Sequence, residues 1–158
     1  MTGGHGTRGL DSGFETDGPD EMRKVVRKNL KAGVDWIKLC VSGGGAGIHM
    51  GDHPSIVEYS EEEIRVAVEE AHNRKKRVMV HSMAAESTKR AVRAGVDCIE
   101  HGKLLDAEAI HMMRDKGVFF VPTMTASINT IRKEREAGNK KIADMMEELN
   151  RPHQWVVS

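Results

Sequence analysis

The tetrapeptide Ala32-Gly33-Val34-Asp35 recurs as Ala94-Gly95-Val96-Asp97, each time between a charged stretch of helical spacing and a short apolar run. Ahead of the first copy, Met22, Val25, Val26 and Leu30 fall at helical intervals within Asp20 to Lys31, and the glycine that follows can take the left-handed conformation that ends a helix. Behind it, Trp36 to Val41 is too short and too apolar for an amphipathic surface helix and is bounded by Gly43-Gly44-Gly45, the pattern of a buried strand. The unit then repeats. Ser60 to Arg74 opens with Ser60 three residues before Glu63, a capping box, and leads into Val78-Met79-Val80-His81. Ala84 to Gly95 leads into Val96 to His101, and Asp106 through Lys116 and Gly117 leads into Val118 to Val121. Strands are therefore expected near residues 35–41, 77–82, 97–101 and 118–122.

Strands that alternate with helices at these lengths need crossover connections, and so a parallel sheet covered by helices. The fold class is α/β, and two architectures qualify: an open doubly wound sheet or a (βα)8 barrel. No GxGxxG or GxxxxGK[ST] phosphate loop follows any strand, and Gly43-Gly44-Gly45-Ala46-Gly47 opens a long loop rather than a helix, which favours the barrel. A whole barrel takes about 250 residues and eight strands. This chain of 158 residues shows about four, so a partial (βα)8, TIM-like barrel is expected over residues 1–158.

Composition narrows the function. With 24 basic and 24 acidic residues, the chain has no net field to hold nucleic acid or an anionic membrane. The longest apolar run, Val118 to Pro122, is far below the roughly 20 residues a bilayer span requires, and Met1 to Gly9 lacks a signal-peptide core. Cys40 and Cys98 sit in strand-like runs without CxxC spacing, as reduced buried thiols would. A soluble, cytoplasmic protein without nucleic-acid or membrane partners is expected.

Functional groups of a barrel lie at the C-terminal ends of its strands, where Lys38, His81 and His101 stand out. Period-two alternation puts Lys38 on one face with Trp36 and Cys40, His81 with Met79, and His101 with Ile99, so that the three converge on one mouth. Each has a bland alternative: a lysine paired with a carboxylate, or a hydrogen-bonded core histidine. Other candidates carry less. His49 and His53 are four apart in a loop that Gly51 and Pro54 keep from being helical, so exposed loop groups are expected; His72 and His111 read as helix-surface groups. The ten methionines read as core filler, and Arg132 to Glu136 and Lys140 to Glu148 as solvated helix faces.

Asp35-Trp36-Ile37-Lys38-Leu39, Val78-Met79-Val80-His81-Ser82 and Cys98-Ile99-Glu100-His101-Gly102, in that order and spacing, resemble strands four, five and six of the amidohydrolase superfamily. The nearest subgroup holds imidazolonepropionase-like hydrolases and metal-dependent Xaa-Pro dipeptidases. In that family the strand-four lysine is carboxylated and bridges two divalent metals, and the next two strand-end histidines bind one of them. The resemblance implies Lys38, His81 and His101 as catalytic metal ligands, with two zinc ions as cofactor. Thr2-Gly3-Gly4-His5-Gly6 resembles the loop after the family's third strand, which implies His5 as a substrate contact, and Val121-Pro122-Thr123 fits the end of strand seven.

The family's first-strand His-x-His pair and eighth-strand aspartate have no counterpart here, so the chain is expected to be a fragment carrying strands four to seven. The reaction implied is hydrolysis of a C–N bond in an amide, cyclic amide or dipeptide-like small molecule, by a hydroxide held between two metals that the carbamate of Lys38 bridges. Two other readings stand beside it. Lys38 could be the amine nucleophile of a Schiff-base aldolase barrel, or the chain could be an inactive fragment that self-associates through its open sheet edges. Homo-oligomerisation is expected on the same ground.

Overall fold

The computed structural model describes residues 1–2, 4–6, 13–44 and 51–156, with the backbone alone over 149–156. His49 and the Gly45-Ala46-Gly47 segment lie outside the described residues. The elements follow in the order α1 (Pro19–Lys31), β1 (Trp36–Cys40), α2 (Glu61–His72), β2 (Arg77–Ala84), α3 (Ala85–Ala94), β3 (Cys98–Leu104), α4 (Ala107–Lys116), β4 (Phe119–Val121), α5 (Met124–Glu136) and α6 (Lys140–Val156). One four-stranded sheet runs β1-β2-β3-β4, with every neighbouring pair parallel. The expected α/β pattern, parallel strands adjacent in chain order and alternating with helices, is what forms. β2 and β3 run past their expected ends, to Ala84 and Leu104, while β4 at the sheet edge is only three residues long.

Local signals set the element ends. Ser60 Oγ accepts the Glu63 N–H (3.2 Å) and Glu63 Oε2 accepts the Ser60 N–H (2.8 Å), completing the capping box of α2. The same glutamate accepts the Gly18 N–H at 2.9 Å, which ties the start of α1 to the start of α2. Asp106 caps α4 through the Ala109 N–H at 2.8 Å. In the repeated tetrapeptide both glycines are left-handed, with φ of 87° at Gly33 and 94° at Gly95, so each turns a helix C-terminus toward the next strand.

The core lies on one side of the sheet. Ile37, Leu39 and Val41, then Val78 and Val80, then Ile99 face Met22, Val26, Ile64, Ala67, Ala71, Ala91 and Val92 from the helices. Each buried valine, leucine, isoleucine or methionine side chain contributes about 1.5–3 kcal/mol. Behind this layer Glu70 joins α2 to α1: Arg27 donates two hydrogen bonds to it at 2.8 Å, and Arg23 donates another. Among the described residues no helix is long and apolar enough to cross a membrane, and Cys40 and Cys98 are both free thiols.

Candidate active site

Parallel strands end on the same side of a sheet, so β1, β2 and β3 deliver Lys38, His81 and His101 to one region. On β1, Ile37 and Leu39 are buried while Lys38 between them is exposed, as period-two alternation requires. On β2, Val78 and Val80 are fully buried in the helix-side core, which turns Met79 and His81 to the opposite face.

The third strand corrects the expectation. Ile99 does not share the inner face with His101: it is fully buried on the helix side, in register with Val80, and Glu100, opposite His81, takes the inner position. Plain alternation would then send His101 outward. It reaches the site because its backbone is left-handed (φ 74°), followed by Gly102 (φ 53°), and because β3 gains a residue on β2 between the pairs Ser82–His101 and Ala84–Leu104. Such a bulge re-aims a side chain. Holding a residue other than glycine in that region costs about 1–3 kcal/mol. Thr123, itself left-handed at φ 52° at the start of α5, steadies the ring through a 2.7 Å contact between its Oγ1 and His101 Nδ1.

The imidazoles meet. His81 and His101 lie edge to face with centroids 4.5 Å apart, and His5 stacks on His81 at 4.3 Å. Gly43 and Gly44 sit under this cluster: a β-carbon on Gly44 would lie 2.1 Å from His5 Cε1, so only glycine lets the ring settle there. Burial pushes His81 down to about 4, with the neighbouring His5 adding to the effect. Burial likewise pushes His101 down to about 3, with His81 as the next contributor. Both rings are therefore neutral near pH 7. The Gly43 carbonyl accepts from His81 Nε2 (3.1 Å), which leaves Nδ1 of that ring as its lone pair. Lys38, its side chain 40% exposed, forms an ion pair with Glu100, and partial desolvation of the amine lowers its pKa.

Several groups escaped the sequence reading. Asp52, 3% exposed, lies 2.5 Å from His5 Nδ1 through Oδ2 and accepts the Gly44 N–H through Oδ1 at 2.9 Å. Buried Glu58 accepts the backbone N–H of His5 at 3.3 Å. Both acids stand in the segment between β1 and α2, which folds back so that Ser42 bridges Val57, a long-range turn with no periodic signature. Glu100 lies inside a quoted motif, but its role follows only from the register of β3. Buried Lys103, two residues beyond His101, donates to Ser127 Oγ on α5, and burial pushes it down to about 8. The other histidines with described side chains stay apart. His53 is exposed and bonded to Ser55, His72 is exposed and bonded to Asp97, and His111 is exposed on α4.

Among the described residues no group of three or more His, Cys, Asp and Glu side chains is arranged to hold a metal ion. The donor chemistry nevertheless fits one in part: two neutral imidazoles, buried His81 and half-buried His101, meet edge to face, one with its Nδ1 lone pair left open by the Gly43 carbonyl, beside an amine whose partial desolvation lowers its pKa.

Comparison with known proteins gives a consistent result. The model of the amidohydrolase family matches residues 3–152. An ochratoxinase from Aspergillus niger is 34% identical over 107 residues, which covers 68% of this chain and 22% of that protein. The crystal structure of a prolidase complexed with N-methylphosphonate-L-proline superposes with a TM-score of 0.81 at 32% identity, over 96% of this chain and 40% of the other. That of a Xaa-Pro dipeptidase with methionine bound in the active site gives 0.76 at 30% identity, over 98% and 40%. The chain thus spans about a fifth of the curated relative's length and about two fifths of these structures.

Proposed function

The chain belongs to the amidohydrolase family, and from that premise we propose that it supplies strands four to seven of a metal-dependent hydrolase that cleaves C–N bonds in small amides or dipeptide-like molecules, acting in the cytoplasm. The observation that carries this reading is the convergence of two neutral imidazoles, buried His81 and half-buried His101, from consecutive parallel strands whose neighbour β1 carries Lys38 on the same face. Two divalent metals, zinc in this reading, would supply Lewis acidity for the scissile carbonyl and acidify water when bound.

The chain's own residues do the rest. His81 offers Nδ1, since its Nε2 proton is committed to the Gly43 carbonyl. His101 offers Nε2, since Thr123 occupies its Nδ1. Lys38 would hold the metals as a carbamate, formed when its neutral amine leaves the ion pair with Glu100, takes up carbon dioxide and releases a proton, so that an anion would stand in place of a metal-repelling ammonium. A lowered amine pKa favours that change, because only the neutral amine reacts with carbon dioxide. His5, stacked on His81, contacts the substrate.

The test is metal analysis after gel filtration together with hydrolysis of Xaa-Pro dipeptides and N-acyl amino acids, on the whole domain read from the flanking coding sequence. Two metals and turnover are expected, and Lys38→Ala should lose both. His101→Gly should lose metal while remaining folded, since glycine accepts the φ of 74° at that position. A Lys38→Ala protein that keeps its metals and its rate would make Lys38 an ordinary paired lysine.

A further inference from the structure

We propose that Asp52 is a positioning residue of this site: it fixes His5 as the Nδ1–H tautomer, so that His5 offers a substrate the lone pair of Nε2. The inference concerns the same site as the hydrolase reading and takes from it only that a substrate binds beside His5.

The geometry has three parts. Asp52 is 3% exposed and has two partners among the described residues: Oδ1 accepts the Gly44 N–H at 2.9 Å and Oδ2 lies 2.5 Å from His5 Nδ1. An ionised carboxylate can only accept, so the proton of that contact belongs to Nδ1 and Nε2 is left bare. The ring cannot swing away, because His81 stacks on it at 4.3 Å and the space above Gly44 is the space the ring fills. Its backbone is held as well, by Glu58 on the His5 N–H.

This bond gives His5 the opposite tautomer to His81, the ring stacked on it, and to His72 and His53. His81 gives its Nε2 proton to the Gly43 carbonyl and His72 gives its own to Asp97. His53 accepts the Ser55 N–H at Nδ1 (3.2 Å), which places its proton on Nε2 too. Those three rings are therefore Nε2–H tautomers, and His5 is the reverse. A substrate seated against His5 meets an acceptor, so the complementary group on the substrate is a donor, an amide or amine N–H, rather than a carboxylate oxygen.

An isosteric change tests this sharply. In Asp52→Asn the Gly44 N–H can be satisfied only by the oxygen of the new amide, so its NH2 is turned toward His5 Nδ1. That nitrogen must then accept, and the ring must move its proton to Nε2. Long-range 1H–15N correlation on 15N-histidine-labelled chain, at a pH above the ordinary histidine range, reads each nitrogen as pyrrole-type or pyridine-type. In the wild type His5 should be pyrrole-type at Nδ1, and in Asp52→Asn the two nitrogens should exchange types while His72 and His53 stay unchanged. A wild-type His5 with its proton on Nε2, or an Asp52→Asn protein in which His5 keeps the proton on Nδ1, overturns the proposal. The measurement needs neither metal nor turnover, so failure of the hydrolase reading and failure of this one are separate results.

Discussion

The two copies of Ala-Gly-Val-Asp have the same sequence and the same local shape, yet they do different physical work. Both glycines are left-handed and both are followed directly by a strand of the sheet. Val96, however, is 3% exposed in the core, whereas Val34 is only partly buried beside it. Asp97 accepts the Val78 N–H at 2.8 Å and His72 Nε2 at 2.9 Å, which ties the start of β2 to the end of α2. Asp35, with its side chain 92% exposed, reaches Lys76 at 3.2 Å and no other partner among the described residues. One copy precedes the interior strand β3 and the other the edge strand β1. Sequence dictates the turn, and the place in the sheet decides what the turn is worth.

The largest contrast should appear at the aspartates. Asp97→Ala leaves the Val78 N–H without its acceptor, and a loss of about 1–3 kcal/mol in urea-unfolding stability is expected; Asp35→Ala should leave the midpoint unchanged, as for most exposed ion pairs. Equal effects at the two sites would mean that the Asp97 bonds are replaced by water. A smaller contrast is expected at the valines. Val96→Ala should cost about 2 kcal/mol through lost burial and a residual cavity, and Val34→Ala clearly less. The smallest difference belongs to the glycines. Gly33→Ala and Gly95→Ala should each cost about 1–2 kcal/mol, because the left-handed penalty is local, and a large gap between them would show that the backbone relaxes at the edge but not in the interior.

The same division explains what was legible in the sequence. Caps, helix stops and the face of β1 and β2 depend on neighbours a few residues away, and Ser60, Gly95, Ile37 and Val80 signalled them. The inner position of His101 did not follow, because alternation assumes extended backbone and β3 abandons it at that residue. Nothing in Cys98-Ile99-Glu100-His101 announces the break except the glycine after it. Asp52 and Glu58 were harder still. Their meaning lies in a loop that folds back over the end of β1 onto a residue near the start of the chain, and no periodicity records such a contact.

The parallel sheet in chain order also sets a schedule for assembly. The His81–His101 contact closes a loop of only 20 residues across adjacent strands, whereas His5 reaches Asp52 across 47. Closure entropy grows with the logarithm of loop length, so the longer contact carries an extra cost of somewhat under about 1 kcal/mol before it gains anything. It also waits for the loop after β1 to fold back. The histidine pair belongs to one βαβ unit, whereas the His5–Asp52 contact needs the longer closure, so a chain refolding from denaturant forms the two contacts of the candidate site as separate events.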